Sequence, residues 1–532
     1  MHIVEMRVGR NTYLYEAESY RNSEGKPRNR MRSVGKVDPV SGEHIFKPEY
    51  LKRMRTGSST DKLIEKTEPA CFTVEEIQGS DIKELGAFYL LEGIAEMIGL
   101  KRCLKAAFPR YAEELLSLAI HMVCTDEPFL YYKQWIENTE APLASPLCSQ
   151  RLSELLENVC AAQRSEFFGL WTQCRRESEY LALDITSISS WSELVEDVEW
   201  GYNRDHEKLP QINVCMLMGE KSRLPVYQTV YGGSIKDVST LTATVRQTVC
   251  HMTDRDEVLI VMDKGFYSKK NVDAMLEGEL ACHFIIPVPF TSKFALAQVE
   301  SESKDIDTIQ NTLVSGADTL RAVSKERAWG DGHKLHTHIY FNAVRAALRR
   351  DELYAHVASL REMAEAGSWD NSLNGDIAKY LIIRSSQKAC GGHTVSIRQD
   401  VLDKELKSAG WMVLVSNHVE NCKRAIEIYR AKDVVEKGFM RLKNSIDLSR
   451  LRVHSQNRMQ GKVFIGFIAL VLMSHMNKLM LEKGLYKRMT MRGLILEMRK
   501  LRVQHIKEHR ILYPLSKAQK EIFLAFDIPL PV

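Results

Sequence analysis

Two aspartates lie at strands that the sequence predicts to be buried. Asp184 falls within the apolar run Tyr180–Ile188, and Asp263 directly follows the run Val258–Met262. A buried carboxylate costs free energy unless hydrogen bonds or a cation compensate it, and a divalent cation does so. Each aspartate alone also has a structural interpretation, in which Asp263 caps the turn at Gly265 and Asp184 is hydrogen-bonded. The two positions therefore predict a metal site only if a further ligand joins them.

A third carboxylate, Glu436, lies on an amphipathic helix predicted over residues 421–444, together with Tyr429, Lys432 and Lys443. At about 100° per residue, the four side chains share one narrow face of that helix. A solvated charged face is the usual interpretation of such a stripe. The same helix also carries apolar packing residues, which favours a stripe at the border of the core. These residues are Val434, Val435, Phe439 and Leu442.

Asp184, Asp263 and Glu436 together offer the oxygen ligands that a pair of Mg²⁺ ions needs, with Mn²⁺ as a substitute. Two-metal sites clamp the attacking and leaving oxygens of an in-line phosphoryl displacement. The other three polar side chains of the helix stripe would then hold the phosphates that flank the scissile bond. The sequence therefore predicts phosphodiester chemistry with these three carboxylates as catalytic metal ligands.

The spacing of the helix residues resembles that of the DDE transposases of bacterial insertion sequences, which have an RNase H-like fold. One subgroup carries the signature Tyr, two residues, Arg, three residues, Glu, six residues, Lys. Here the signature matches Tyr429, Lys432, Glu436 and Lys443, so lysine stands where the subgroup has arginine. Lysine keeps the positive charge but loses the bidentate fork that arginine offers to phosphate.

The surroundings of the two aspartates resemble the same family over about residues 180–475. Leu183–Ser187 (LDITS) is similar to its first aspartate motif, and Asp263–Tyr267 (DKGFY) is similar to its second. The segments Gly201–Asp205 and Gly232–Ser234, the latter with Asp237, resemble sequences that lie between the two motifs.

This resemblance implies a transposase that binds terminal inverted repeats and catalyses metal-dependent strand cleavage and strand transfer. Its partners would be the inverted repeats and target DNA, and a homodimer would pair the two ends. Two alternatives stay open: an RNase H-fold DNA nuclease without strand transfer, and a catalytically silent DNA-binding protein that keeps the fold.

Hydrophobic periodicity predicts the elements that must position these residues. Three strands follow one another over residues 180–188, 211–218 and 225–231, and a helix over 237–252 leads to a fourth strand at 258–262. A right-handed crossover lays the fourth strand beside and parallel to the first. The fold class is α/β: an RNase H-like mixed sheet with a largely β insertion between the second and third acids, an N-terminal β module and a helical DNA-binding region.

We expect six segments along the chain. They are a basic β module (1–60), a helical DNA-end-binding region (61–178), the first part of the catalytic core (179–283), the insertion (284–415), the second part of the core (416–480) and a basic helical tail (481–532). The helical region is equally compatible with a DNA-reading helix-turn-helix and with a structural bundle.

Trp329 lies in the turn-like segment AWGDGHK of the insertion. In relatives such insertions can handle a flipped base, which makes Trp329 a candidate stacking platform for DNA. An ordinary buried tryptophan is the more common case, because this side chain usually buries a large area.

Charge is distributed unevenly over the 532 residues, although the net charge is only +4. Residues 1–60 hold 12 Lys/Arg against 7 Asp/Glu, and residues 440–532 hold 18 against 6, which leaves −13 for the middle. The two basic terminal segments around an acidic centre indicate that the protein binds a polyanion through these terminal segments. Uneven surface charge without a function is the alternative.

Eleven cysteines without a C-x-x-C pair argue against a disulfide framework or a zinc ribbon. The first residues show no secretory signal, and the longest apolar run, Val463–Met473, is too short to cross a bilayer. We therefore expect a cytoplasmic protein without a membrane partner, and the resemblance implies association with a bacterial nucleoid.

Overall fold

The computed structural model describes residues 2–8, 11–21, 27–38, 44–47, 50, 72–141, 144–175, 180–249, 258–277, 282–330, 332–385, 393–446 and 448–532. The chain forms two compact units, residues 1–78 and 79–532. The boundary predicted at residue 60 lies outside the described residues, and the other predicted segment boundaries stay predictions.

The first unit contains a four-stranded antiparallel sheet in the order β1-β2-β3-β4. Its strands are β1 (His2–Val8), β2 (Asn11–Arg21), β3 (Pro27–Val37) and β4 (His44–Phe46), and a short helix, Val74–Gln78, ends the unit. Leu14, Val34 and Tyr50 form its small buried core. The strands predicted over 2–8 and 12–20 are confirmed, and the turn predicted at 22–26 lies outside the described residues.

The second unit begins with strand β5 (Asp81–Glu84) and continues as the helical region that the sequence predicts. The helices are Gly86–Met97, Leu100–Ala107, Ala112–Cys124, Tyr132–Glu137, Ser149–Asn158 and Ala161–Arg175. They bury one continuous apolar core, which they share with the sheet that follows.

A nine-stranded mixed sheet forms the centre of this unit, in the order β11-β12-β13-β16-β10-β9-β6-β7-β8. Its strands are β6 (Leu181–Ser189), β7 (Gln211–Gly219), β8 (Pro225–Gly232), β9 (Leu259–Val261), β10 (His283–Pro287), β11 (Thr312–Ser315), β12 (Asp318–Trp329), β13 (His333–Phe341) and β16 (Trp411–Ser416). β6, β7 and β8 are antiparallel neighbours, whereas β9 lies parallel to β6 after the crossover helix Asp237–Val249. The predicted plan of three strands in series and a parallel fourth beside the first is confirmed.

Most strands of residues 284–415 extend this same sheet. β10 lies parallel to β9, and β16, β13, β12 and β11 follow in antiparallel order. Of the strands described in this segment, the hairpin of β14 (Leu381–Ser385) and β15 (His393–Ile397) alone lies apart from the sheet, and it packs with three helices around a small separate core. These helices are Ala343–Glu365, Asn374–Tyr380 and Gln399–Leu406, and two further helices, Lys269–Leu276 and Lys293–Glu302, flank β10 in sequence.

The helix Gln456–Glu482, here called the core helix, packs between the helical region and the sheet. Among the described residues it is the one helix long and apolar enough to cross a membrane, but 83% of its apolar window is buried in the protein, as is typical of a soluble core. Phe464 packs against Phe108 and Phe167 of the helical region. On the other side, Gln228 Nε2 of β8 donates a hydrogen bond to the carbonyl of Val463 at 3.1 Å.

The chain after the core helix differs from the prediction. The basic tail predicted as helical over residues 481–532 is only partly helical, because the helix that begins at Met491 ends at residue 499 and a hairpin follows. The elements are a helix (Met491–Arg499), β17 (Arg502–Ile506), β18 (His509–Leu512) and a helix (Lys517–Ala525). β17 pairs with β5 from the start of the unit, a partner that local sequence does not reveal. Part of the positive tail is neutralised here, since Arg499 pairs with Glu84 and Arg492 with Asp126, both at 2.8 Å.

We expect Gly461→Ala to lower the free energy of unfolding by about 1–3 kcal/mol, because an extra methyl group in a close-packed core forces the neighbouring backbone to shift. A Cβ at this core-helix position would meet the carbonyl oxygen of Leu156 at 2.5 Å. Gly375→Ala is the matched control, since that helical glycine has open space around it. The control is expected to be neutral or stabilising by up to about 1 kcal/mol. Equal urea-unfolding curves for both variants would contradict the close helix contact.

Candidate active site

The register of β6 and β9 brings the two predicted aspartates together. Ala182 pairs with Val261 in the parallel ladder, so continuing by two residues places Asp184 level with Asp263 on the neighbouring strand. β9 ends at Val261, and Asp263 therefore stands just past its carboxyl end, as the sequence predicts. The two carboxylates are close enough for Asp263 to act electrostatically on Asp184.

Asp184 is a largely buried carboxylate, with 19% of its side chain exposed. Its Oδ1 accepts a hydrogen bond from the backbone N–H of Ile185 at 2.9 Å. Burial raises the pKa of Asp184, and the charge of Asp263 raises it further, while Lys432 opposes both effects. The site thus holds a carboxylate that gains strongly from any nearby cation.

The predicted helix over 421–444 is present as two helices, Cys422–Ala431 and Asp433–Asn444, which meet at Lys432. At this joint the N–H of Lys432 bonds to the carbonyl of Tyr429, three residues back, so the turn is tightened. The second helix packs directly on β6 and β7. Gly438 faces the sheet at close range, because a Cβ there would contact the sulfur of Met218.

Lys432 connects the helix to the strand. Its Nζ donates to Asp184 Oδ2 at 3.2 Å and to Glu436 Oε1 at 3.3 Å, and only 6% of the side chain is exposed. Burial alone would lower the pKa of Lys432, but the charges of Asp184, Asp263 and Glu436 outweigh it and raise that pKa. The ammonium is therefore the cation that two of the three predicted metal ligands share.

Tyr429 borders the same group of carboxylates. Burial raises the pKa of its phenol to about 12, and the charge of Asp263 adds to this effect. The phenol is consequently neutral at physiological pH and can donate its proton in a hydrogen bond.

Lys443, the last residue of the helix stripe, lies farther along and forms a different pair. Its Nζ contacts both carboxylate oxygens of Asp205, at 2.6 and 2.8 Å. Arg204, which precedes Asp205 in the sequence, pairs with Asp237 at the start of the crossover helix. These two ion pairs fix the segment Gly201–Asp205 against both the helix Asp433–Asn444 and the crossover helix.

The three carboxylates suit a hard divalent cation by the chemistry of their oxygen donors. Within the described part of the chain, however, no set of three His, Cys, Asp or Glu side chains forms a closed metal site. The ammonium of Lys432 lies instead between Asp184 and Glu436. A divalent cation shared by Asp184 and Glu436 would compete with this ammonium for the carboxylate oxygens.

The family model described as "Transposase DDE domain" matches residues 175–472, which is more than half of the chain and includes all three carboxylates. This chain belongs to the DDE transposase family. No curated protein matches the sequence. Among solved structures, this transposase is similar to one titled "Cryo-EM structure of piggyBac transposase synaptic complex with hairpin DNA (SNHP)", at 11% identity. The similarity covers 77% of this chain and 70% of that chain with a TM-score of 0.35, which is too low to carry an argument.

Trp329 lies in the core of the transposase rather than at an exposed position. It is only 8% exposed, its indole N–H donates to Asp273 Oδ1 at 2.7 Å, and its ring packs edge-on against Phe294. Trp329 is therefore placed as an ordinary buried tryptophan, which is the alternative that the sequence analysis left open. The ring is covered by these neighbours, and its predicted contact with DNA stays a prediction.

Sequence reasoning did not assign roles to Arg204, Asp205 and Asp237. Asp205 is the partner of Lys443, and Arg204 and Asp237 hold the loop before β7 in place. The signal for these residues was that the segment Gly201–Asp205, and Gly232–Ser234 with Asp237, resemble the family. Nothing in its local pattern shows which side chains lie across from it.

We expect Lys432→Met to lower the free energy of unfolding of the metal-free protein by about 3 kcal/mol, because it leaves the buried carboxylate of Asp184 without its cation. The measurement is urea unfolding in the presence of a chelator. Lys437→Met on the same helix is the matched control, since Lys437 and its partner Asp433 are both more than half exposed. That control is expected to cost less than about 1 kcal/mol. Equal losses in both variants would show that the shared ammonium does not stabilise the site.

Proposed function

We propose that this DDE transposase belongs to the Tyr-Arg-Glu-Lys subgroup of bacterial insertion sequences. In this proposal it binds terminal inverted repeats, cuts DNA at the element ends and joins them to target DNA. One observation carries it: Asp184 of β6 lies close to Asp263, which follows the end of the parallel neighbour β9, and Lys432 ties Asp184 to Glu436 of the helix Asp433–Asn444.

In the proposed reaction, Asp184, Asp263 and Glu436 hold two divalent cations, Mg²⁺ or Mn²⁺. When bound, such a pair activates the attacking oxygen and stabilises the leaving oxygen at the phosphodiester. Tyr429 donates a hydrogen bond from its neutral phenol to a phosphate oxygen. Lys432, released from its carboxylates, places its ammonium beside the same phosphate, where its positive charge attracts the negatively charged DNA backbone.

The wider assignment follows the same proposal. The protein acts on inverted repeats and target DNA as a homodimer that pairs two ends, at the nucleoid of a bacterial cytoplasm. The basic module of residues 1–60 and the basic residues after 440 supply charge for contacts with the DNA backbone away from the metal ligands.

We expect Asp184→Asn to abolish metal-dependent nicking of supercoiled plasmid, with a loss of at least about a hundredfold, because a metal ligand is removed from the reacting phosphate. DNA binding without divalent metal should stay within about twofold of the parent protein, since phosphate contacts dominate affinity. Asp307→Asn is the control, as this carboxylate is exposed and pairs with Arg321 of β12. Nicking by Asp184→Asn at the parent rate would sink the assignment of the site.

A joining assay separates the transposase from a nuclease of the same fold. Pre-cut ends with free 3′-hydroxyls are incubated with plasmid and Mg²⁺, and joined product is measured. A transposase gives joined product, whereas a nuclease without strand transfer gives only nicked plasmid. A protein that neither nicks nor joins but binds DNA fits the catalytically silent alternative.

We expect Lys443→Gln to weaken DNA binding on all sequences and to reduce the slope of log affinity against log salt by about 1, as for the loss of one phosphate contact. The variant also leaves Asp205 unpaired, which adds repulsion toward the backbone. Lys437→Gln on an exposed position of the same helix is the control. An unchanged salt slope for Lys443→Gln would mean that this lysine serves only to hold Asp205.

A further inference from the structure

Two cysteines that are far apart in the sequence lie together in the helical region. Cys103 belongs to the helix Leu100–Ala107, and Cys174 lies near the end of the helix Ala161–Arg175. The thiol of Cys103 forms a side-chain hydrogen bond with Cys174, and both residues are free cysteines in this structure. A disulfide forms only where two sulfur atoms come within reach of each other, and the packing of these helices meets that condition.

The first turn of the helix Leu100–Ala107 sets this contact. The N–H of Cys103 donates to the carbonyl of Gly99 at 3.2 Å, so the two residues lie one turn apart on the same face. Cys174 packs against that turn. Its Sγ donates to the carbonyl of Ile98 at 3.7 Å, and a Cβ on Gly99 would lie 2.8 Å from the sulfur. The sulfur of Cys174 is therefore held against the turn that ends at Cys103.

The two thiols differ in their access to solvent. Cys103 is 4% exposed, and burial raises the pKa of its thiol to about 12, an effect to which Cys174 adds. Cys174 is only partly buried, and Nη2 of Arg102 donates to its sulfur at 3.6 Å. The thiolate is the nucleophilic form of cysteine, and an arginine next to the sulfur stabilises it. Cys174 is thus the thiol that meets a reagent from solution, whereas Cys103 can react with the sulfur beside it.

The helix that carries Cys174 connects the helical region to the nine-stranded sheet. The indole N–H of Trp171 donates to the carbonyl of Pro225 at the start of β8 at 2.9 Å. One turn earlier, Phe168 packs against Tyr227 of the same strand, with ring centroids 4.8 Å apart. A covalent bond between Cys103 and Cys174 would therefore link the helical region to the helix that packs on the edge strand of the sheet.

We propose that Cys103 and Cys174 are a redox modification site, at which they form a reversible disulfide by exchange with a small-molecule disulfide such as oxidised glutathione. This site requires neither DNA nor metal, so it goes beyond the proposed function and does not depend on it. Intracellular disulfides of this kind are usually transient and redox-sensing.

The exchange proceeds in two steps. The thiolate of Cys174 attacks one sulfur of the reagent, the S–S bond of the reagent breaks, and the released thiolate leaves with the electron pair and takes up the proton that Cys174 has lost. Cys103 then loses its proton and attacks the sulfur of Cys174 in the mixed disulfide. The second small thiolate leaves and takes up that proton. The two protein thiols are oxidised by two electrons in total, and the reagent is reduced to two thiols.

The test incubates the full-length protein with oxidised glutathione, alkylates the remaining thiols in denaturant and maps the peptides by mass spectrometry without reduction. We expect the peptide pair that links Cys103 to Cys174 to be at least about tenfold more abundant than any other linked pair, because the two sulfurs are already in contact. Dithiothreitol should remove the link. The oxidised protein is also expected to melt a few degrees higher than the reduced protein, since the bond closes a long loop of the unfolded chain. Cys148 is the control, as an exposed thiol of the same region that is hydrogen-bonded to the backbone of Arg151, and it should carry glutathione only as a mixed disulfide.

Two variants separate the two steps. Cys103→Ala is expected to keep Cys174 as a mixed disulfide with glutathione, whereas Cys174→Ser should leave the buried Cys103 unmodified in the folded protein. The rise in melting temperature should vanish in both variants. Two results with the parent protein, which need no variant to fold, would overturn the proposal. In the first, Cys148 takes up glutathione while Cys103 and Cys174 are both recovered as alkylated thiols. In the second, Cys174 is linked to a second copy of the chain instead of to Cys103.

Discussion

The parallel pairing of β6 with β9 is the constraint on which the candidate site depends. Parallel neighbours need a crossover, and the helix Asp237–Val249 lies in the connection that returns the chain to the same edge. This crossover brings Asp184 and Asp263 close together in space, although they are far apart in sequence. Glu436 needs no strand of its own, because its helix packs directly on β6 and β7. A shift of one residue in this register would turn Asp184 to the opposite face of the sheet.

Charge in the site is partly balanced within the protein. The single positive charge of Lys432 is shared by Asp184 and Glu436, Lys443 pairs with Asp205, and Lys432 is buried where the helices Cys422–Ala431 and Asp433–Asn444 meet. A phosphate or cation that binds these groups competes with the ion pairs that they already form. The free energy of each new phosphate contact is reduced by that of the pair it displaces, which makes binding more selective for a partner that satisfies several groups at once.

The sequence predicted the parts of the fold that have strong local patterns. Unbroken β-branched runs identified the buried strands, and the spacing at 100° per residue put Lys432 and Glu436 on one face. Pairings between distant segments were not accessible, because β17 looks the same locally whether or not β5 lies beside it. The same reason hid the continuation of the sheet through β16 to β11. The burial of Trp329 likewise depends on Phe294 and Asp273, which no local pattern places next to it.

The core helix comes late in the chain, after all nine strands of the sheet that it covers. During synthesis the earlier helices and β8 are complete long before Gln456–Glu482 emerges, so their apolar faces stay open to solvent and to chaperones. A chain interrupted before residue 456 lacks the segment that covers this apolar core, and we expect it to be degraded by proteases. The order of the elements thus couples the closing of the apolar core to the synthesis of residues 456–482.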